Sequence, residues 1–552
     1  MQNIWVDRLK EDLKKYKEIL IWGTGVYGKG IYCNLCDEGF KDKIKCFIVS
    51  SKPDILEVDG KPVVSVDQLE VFDEESVILL AVLNPQYIRE IRERMQGIEH
   101  PQVIELRDYY EISYNKSLPE ERYALQNESF DKMLEWMTEC YLSNHKGDKS
   151  NFTLTRDYLC NLASNRTCSS EKCILFIVGS IYIRIAKIAG ALVKRGYTVK
   201  ILRLSTDVSQ SVGDQMIIEK EISIDYCKSI AELLYKALEE KPYIYYIDPP
   251  LYYASLAMFM IHNKDKFGKI IFGEYDVNKV MMLSILPESE VVLEQYALEN
   301  ADGVVWRYTA KDYLKEKFGY HYKGKSIQFY DYCEECLPSN KWEAHDSILK
   351  LCMLPSLLKA FMAKRGIGSE YTHEANIYEM IELVKDRSDC QLDIYSWSAS
   401  EELMKTCREI EKCHSNIRFY FHVNHSELIE RMKQYDYGVI TTKESKVLQF
   451  YEQESPTCNF VTEADYFFAG NNKHFDFLAA GLPIIARSPK EQIKYLSQYD
   501  VVVNMGVENF DIEYLKDNKE KYHQQVAAAL PSLLIDNHIS KLIDFIEEVG
   551  RD

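Results

Sequence analysis

Residues 471–485 read Asn471-Asn472-Lys473-His474-Phe475-Asp476-Phe477-Leu478-Ala479-Ala480-Gly481-Leu482-Pro483-Ile484-Ile485. Asparagine is a good helix N-cap, so a helix starts at Asn471 or Asn472. Phe475, Leu478, Ala479 and Leu482 recur at helical spacing and form a buried stripe. Gly481 falls where the helix ends, Pro483 blocks its continuation, and an apolar strand follows. The unit is loop, short helix, glycine stop, strand.

Lys473 and Asp476 stand three apart and share one face of that helix. A helix start offers main-chain N–H groups and partial positive charge, which suit a diphosphate. A carboxylate one turn in, Asp476, can accept hydrogen bonds from ribose hydroxyls. Departure of a nucleoside diphosphate builds negative charge, which preorganised donors stabilise. Taken alone, the same pair also reads as an exposed ion pair worth about 0.2–0.5 kcal/mol.

Outward from this unit, short apolar strands alternate with amphipathic helices in three runs. That alternation predicts an α/β chain with parallel sheets and right-handed crossovers. The first run occupies 1–110, with strands at 19–22, 46–49, 77–82 and 103–106. Residues 111–168 read as a partly helical connector, with one helical pattern at 130–142. The second run occupies 169–337, with strands at 174–178, 199–204, 244–247, 270–272 and 304–306. The third occupies 338–552, with strands at 348–352, 392–395, 417–421, 438–441, 483–486 and 501–503. Its helices fall at about 374–386, 400–412, 425–434 and 471–480, and another amphipathic helix at 535–549 closes the chain.

The bulk numbers agree with several folded domains. The chain has 552 residues, 46% hydrophobic and 28% charged. A net charge of -19 sets nucleic acid aside as a partner. No stretch reaches the ~18 apolar residues of a membrane span, and the first ten residues lack the apolar core of a secretory signal. The 15 cysteines are scattered, as in a reducing compartment. Cys33/Cys36 and Cys333/Cys336 are C-x-x-C pairs without the second pair that zinc needs nearby. The expected localisation is cytoplasmic, with no metal site.

The 471–485 string resembles the donor-site signature of GT-B glycosyltransferases. The likeness is to the retaining family of bacterial capsule and lipopolysaccharide synthesis, whose pattern runs Pro/Asn-x-Lys-x-x-Glu-x-x-Ala-x-Gly-x-Pro-Ile/Val. Lys473, Asp476, Ala479, Gly481, Pro483 and Ile484 match in place, with Asp for Glu. Residues 292–305 resemble the family's segment near the end of its acceptor lobe. His425-Ser426-Glu427-Leu428 and Tyr435-Asp436-Tyr437-Gly438 resemble its segment before the donor site. The resemblance covers about residues 170–550. It implies the GT-B fold, two Rossmann-like lobes, here preceded by a third small Rossmann-like domain. It implies sugar transfer from a UDP-, GDP- or dTDP-sugar to a glycan or lipid-linked acceptor in surface polysaccharide synthesis. Asn472, Lys473, Asp476 and Gly481 would hold the donor. No cofactor is required, because helix dipole and basic groups can replace a metal.

Two departures bear on mechanism. The family often has a glutamate eight residues before the second acid, where Phe468 stands here, and its glycine-rich loop after the first donor-lobe strand is replaced by Met353-Leu354-Pro355-Ser356. Retention and inversion both stay open. An inverting enzyme needs a base for the acceptor hydroxyl. Glu274 and Asp276 follow a strand at the cleft edge, and Asp248 is similarly placed; each reads equally as a solvated loop acid.

In the first run, Gly23-x-Gly25-x-x-Gly28 joins a strand to a helix, as in a dinucleotide loop. A dehydrogenase places an acid at the end of the second strand, where Ser50 and Ser51 stand here. The glycines serve either a nucleotide or close packing. Two other functions therefore remain: a nucleotide-sugar epimerase or dehydrogenase using this front domain, and a non-catalytic scaffold of a polysaccharide assembly complex. Arg184, Lys187, Lys194 and Arg195 put positive charge beside an apolar helix, which reads first as a solvated face and second as peripheral contact at the inner face of the cell membrane.

Overall fold

The computed structural model describes residues 4–551, apart from 25, 54–55, 70–74, 83–84, 96–101, 107–119, 128, 147–151, 165–171, 205–210, 249–253, 275–276, 278–287, 308–309, 335–347, 356–376, 397–400, 441–471 and 488–490.

Three sheets organise the described residues. The first has six strands in the order Glu57–Val58, Lys61–Ser65, Ile44–Val49, Glu18–Trp22, Ser76–Leu80, Gln102–Glu105. The second has seven, in the order Lys325–Gln328, Gly303–Trp306, Ile270–Glu274, Ile244–Asp248, Cys173–Val178, Thr198–Leu204, Ser223–Cys227. The third has six, in the order Ile417–Phe421, Cys390–Ser396, Leu349–Met353, Tyr437–Val439, Ile484–Ile485, Val502–Val503. The second and third sheets are parallel throughout, and the first is parallel except for its edge hairpin between Glu57–Val58 and Lys61–Ser65. Central strands such as Cys173–Val178 are buried along their length, which explains their continuous apolar sequence. The chain is thus α/β, with Rossmann-like lobes.

Each central strand starts its sheet and the later strands are laid down on both sides, so the strand order reverses next to it. At such a switch point the carboxyl ends of the strands face a crevice. In the second sheet the reversal lies between Cys173–Val178 and Ile244–Asp248. In the third it lies between Leu349–Met353 and Tyr437–Val439.

The second and third sheets share one apolar core, which runs from Ile174 and Ile185 through Tyr332, Phe475 and Phe477 to Phe545. Two chain crossings bind it. The segment at Cys333 runs beside Leu534: the Cys333 main-chain N–H donates to the Leu533 carbonyl (2.9 Å) and that of Ile535 to the Cys333 carbonyl (2.8 Å). The last helix, Ile535–Arg551, returns to the second sheet, where Phe545 and Val549 cover Gly303. Its Glu547 accepts from the Tyr197 hydroxyl (3.0 Å).

Helices Glu120–Gln126, Phe130–Asn144 and Phe152–Ser164 pack on the other face of the second sheet, where Met133, Met137 and Leu159 join Leu234 and Phe259. Sequence reading found one of these three. The first sheet has its own two cores, around Ile19 and Phe47 on one face and Trp22 and Ile78 on the other.

Candidate functional site

The helix expected at 471–480 spans Asn472–Ala479. Phe475, Phe477 and Leu478 are fully buried, and the ring of Phe477 lies over Gly438 of the neighbouring strand. Gly481 has φ +81°, a left-handed conformation, and the Leu482 N–H reaches back to the Phe477 carbonyl (2.9 Å). This is a glycine-terminated C-cap. It turns the chain into strand Ile484–Ile485.

The start of this helix opens onto a cavity of about 230 Å³ between the lobes. Lys473, Asp476 and His425 form its polar wall. Ile183 and Val212 come from the second lobe, and Leu354, Tyr420 and Leu428 from the third. Local sequence sets the second-lobe wall. Ser211 caps helix Val212–Glu219 in a reciprocal box with Asp214. Gly213 lies so close to the Ile181 carbonyl that a Cβ there would sit 2.0 Å from its oxygen. On the third-lobe wall the Tyr395 and Tyr420 rings stack at 4.7 Å. The Tyr395 hydroxyl lies 2.8 Å from that of Tyr435, which donates to Asp393 (2.6 Å).

Asp476 is 3% exposed and Lys187 2%. The Lys187 ammonium donates to Asp476 Oδ1 at 2.9 Å, and His425 Nε2 lies 3.3 Å from the same oxygen. Burial alone would raise the Asp476 carboxyl; Lys187 and His425 outweigh it and hold it far below the usual carboxylate range. Burial alone would lower the Lys187 ammonium, and Asp476 outweighs that, raising it. The carboxylate expected to await a ribose is therefore the centre of a contact between lobes.

Beside it runs a second buried cluster. Arg307 forks onto Asp331 (Nε to Oδ2 2.9 Å, Nη2 to Oδ2 2.6 Å), and its Nη2 also donates to Asn472 Oδ1 at 3.1 Å. Arg184 Nη1 donates to Asp331 Oδ1 (3.2 Å) and to the Phe329 carbonyl (2.6 Å). Burial would raise the Asp331 carboxyl, and the two guanidiniums lower it instead. The Asn472 side chain is thus engaged with the second lobe, while Lys473 and Asp476 of the same helix line the cavity.

The membrane-facing reading of Arg184, Lys187, Lys194 and Arg195 is corrected here. Arg184 and Lys187 are buried and ion-paired, Arg184 to Asp331 within the second lobe and Lys187 to Asp476 across the lobes. Lys194 and Arg195 are exposed, and their Nζ and Nη2 meet the Asp536 carboxylate and carbonyl (3.3 and 2.7 Å), so two of the four stand at the surface beside an acid. The signal was present: Arg184 and Lys187 stand among Ile183, Ile185 and Ile188, and cations on an apolar face require buried counter-charges. Among the described residues no helix is long and apolar enough to cross a membrane.

Glu274 ends strand Ile270–Glu274, is buried, and its Oε2 accepts from the Arg307 main-chain N–H (3.2 Å). Asp248 ends the adjacent strand and is also buried, so neither is a solvated loop acid. Asp276, Phe468 and Gly25 lie outside the described residues. In the first domain Gly23 has φ +118°, and a Cβ at Gly28 would sit 1.8 Å from the Gly23 carbonyl oxygen. The turn requires both glycines to bring helix and strand together. Among the described residues no group of His, Cys, Asp and Glu could hold a metal.

No protein-family model matches the sequence, and no curated protein matches it. Solved structures do. An O-GlcNAc transferase of Thermobaculum terrenum is similar at 11% identity over 80% of this chain and 81% of that chain, with a TM-score of 0.41. The UDP-GlcNAc 2-epimerase from Neisseria meningitidis, bound to UDP-GlcNAc, is similar at 12% identity over 68% and 100%, with a TM-score of 0.41. WaaG, a glycosyltransferase involved in lipopolysaccharide biosynthesis, is similar at 12% identity over 68% and 99%, with a TM-score of 0.39. These are likenesses in the general course of the chain and extend to no individual residue.

Proposed function

We propose that this chain is a glycosyltransferase of the GT-B type that moves a sugar from a nucleotide-sugar to a glycan or lipid-linked acceptor in surface polysaccharide synthesis. One observation carries the reading: the interlobe cavity is met by a helix start, with Lys473 in the first turn and His425 beside it. Helix dipole and cation together suit the diphosphate of a UDP-, GDP- or dTDP-sugar.

In this reading the lobe built on the third sheet holds the donor through Asn472, Lys473, Asp476 and the turn at Gly481. The lobe built on the second sheet holds the acceptor. The bond from the anomeric carbon to the diphosphate oxygen breaks, and its electron pair leaves on the diphosphate. The acceptor oxygen bonds the anomeric carbon, and its proton passes to a base, for which Glu274 and Asp276 are the candidates. Asp476 serves the donor as half of the Lys187 pair, so the ribose side of the site is complete only with both lobes together.

The test is calorimetric titration of the full chain with UDP, GDP, dTDP and CMP, followed by transfer assays with the matching radiolabelled sugars. One nucleotide is expected to bind, and Lys473→Ala to weaken it about tenfold, the size of one charge-assisted hydrogen bond. Failure of all four to bind would refute the reading.

A further inference from the structure

One residue of the second lobe touches both halves of the proposed reaction. Strand Gly303–Trp306 pairs with Ile270–Glu274 in a register that sets Trp306 beside Glu274. Arg307 follows at once, and its main-chain N–H donates to Glu274 Oε2 at 3.2 Å. Its side chain is buried and ends at the third lobe, where Nη2 donates to Asn472 Oδ1 at 3.1 Å, in the first turn of the donor helix. The same Nη2 donates to Asp331 Oδ2 at 2.6 Å, and Nε meets the two oxygens of that carboxylate at 3.1 and 2.9 Å. A planar fork held this way has one orientation, so the hydrogen bond to Asn472 starts from a fixed point. Neutralising Asp331 does not by itself account for Arg307. Arg184 Nη1 already stands 3.2 Å from Asp331 Oδ1. Burying a second guanidinium forfeits hydration and rotamer freedom that an apolar residue would not. What Arg307 adds is the contact with the other lobe.

We propose that Arg307 is a positioning residue, which holds the candidate base Glu274 and the donor helix at a fixed spacing across the lobes. The path is short: the Glu274 carboxylate, the Arg307 main chain and guanidinium, then the Asn472 side chain. The second lobe carries the base and the acceptor, and the third carries the donor. Transfer needs the acceptor oxygen and the anomeric carbon aligned, and an error of about 1 Å can cost about 10²-fold in rate. The Lys187–Asp476 pair also joins the lobes, but it grips the donor helix one turn further along. The hydrogen bond from Arg307 fixes the first residue of that helix. Arg307 acts through Asn472 and Glu274 and touches neither substrate. This inference rests on the glycosyltransferase reading, which supplies the reaction to be aligned.

The experiment uses the full chain, whichever of UDP, GDP, dTDP and CMP binds, and the matching nucleotide-sugar. Calorimetry reads affinity for the nucleotide, and its release from the sugar reads turnover. Arg307→Lys keeps a cation beside Asp331 and gives up the fork. It should lower turnover about 10²-fold and leave nucleotide affinity unchanged, a split that loss of stability alone does not produce. Asn472→Ala breaks the same hydrogen bond from the other side and strands no charge, and its turnover should fall by more than its affinity. Adding Arg307→Lys to Asn472→Ala should lower turnover no further, because both remove one contact. Wild-type turnover in Arg307→Lys, or a full additional loss in the double variant, overturns the role of Arg307 alone. Where Arg307→Lys does not fold, Asn472→Ala decides, and equal falls in its turnover and affinity overturn that role. No nucleotide binding, or binding without turnover in the unaltered chain, overturns the functional reading and this inference with it.

Discussion

Lys187 and Asp476, 289 residues apart in sequence, meet as a fully buried ion pair at 2.9 Å, each from a different lobe. Removing one partner strands a buried charge, which costs about 3–5 kcal/mol. Lys187→Met is therefore expected to lower the melting temperature of the two-lobe unit markedly. Adding Asp476→Leu to it should restore much of the loss, since an apolar pair can replace a buried ionic one. Differential scanning calorimetry of the single and double variants checks this. Equal melting of Lys187→Met and wild type would remove the pair as an interlobe lock.

The same pair fixes a pH window. The folded Asp476 carboxyl is lowered, so its contribution is present above the unfolded value near 4 and is lost as pH falls through the folded one. The folded Lys187 ammonium is raised, so its contribution is present below the unfolded value near 10.4 and is lost as pH rises through the folded one. The Lys187–Asp476 pair by itself should therefore add no pH dependence between about 5 and 10, which thermal melts across that range can check.

His523 behaves differently. Burial pushes its imidazole down to about 4, and contacts with the main chain of Asp436 and Gly481 offset this only in part. The unfolded chain then binds a proton below about 6.5 that the folded chain refuses, so stability falls as pH drops from about 6.5 to 4. The loss is on the order of 3 kcal/mol, at about 1.36 kcal/mol for each pH unit. Thermal melts at pH 7 and pH 5 should show it, and His523→Gln should flatten the difference. An unchanged slope in that variant would assign the acid sensitivity elsewhere.

What the sequence disclosed follows from burial. Strands 173–178 and 244–248 are apolar runs because both faces are covered, and they read clearly. Strands Ser223–Cys227 and Lys325–Gln328 are edge strands of the second sheet, and of their side chains only Cys227 is fully buried. Their sequences, Ser-Ile-Asp-Tyr-Cys and Lys-Ser-Ile-Gln, carry no continuous apolar signal. At the site, the loop–helix–glycine–strand unit was legible from local rules of capping and periodicity. The pairing of Asp476 with Lys187 was not, because periodicity states which face a residue occupies and is silent about what lies opposite. The basic side of helix Ile183–Lys194 read as a solvated or membrane-facing surface for the same reason.

Glu274 offers a test of chemistry separable from binding. Its Oε2 accepts the Arg307 N–H, a bond that a glutamine carbonyl can keep. Glu274→Gln should therefore leave folding and nucleotide affinity unchanged. If Glu274 takes the acceptor proton, turnover should fall about 10²–10⁴-fold, the usual contribution of a general base. Unchanged turnover would pass that role to Asp276 or to the departing diphosphate.

Gly438 tests whether the donor helix depends on the strand beneath it. A Cβ at this position would lie 2.3 Å from Phe477 Cγ and 2.5 Å from its Cδ1, inside the ring of a fully buried side chain. The ring cannot retreat, because Phe477 sits in the core shared by both lobes. Gly438→Ala must therefore lift helix Asn472–Ala479 away from the sheet or force a strained rotamer, at about 1–3 kcal/mol. Either response moves Lys473 and the main-chain N–H groups at the helix start. Thermal melting should fall, and affinity for the binding nucleoside diphosphate should fall with it, although Gly438 touches no ligand. Loss of stability with full nucleotide affinity would show that the phosphate contacts lie elsewhere than at this helix start.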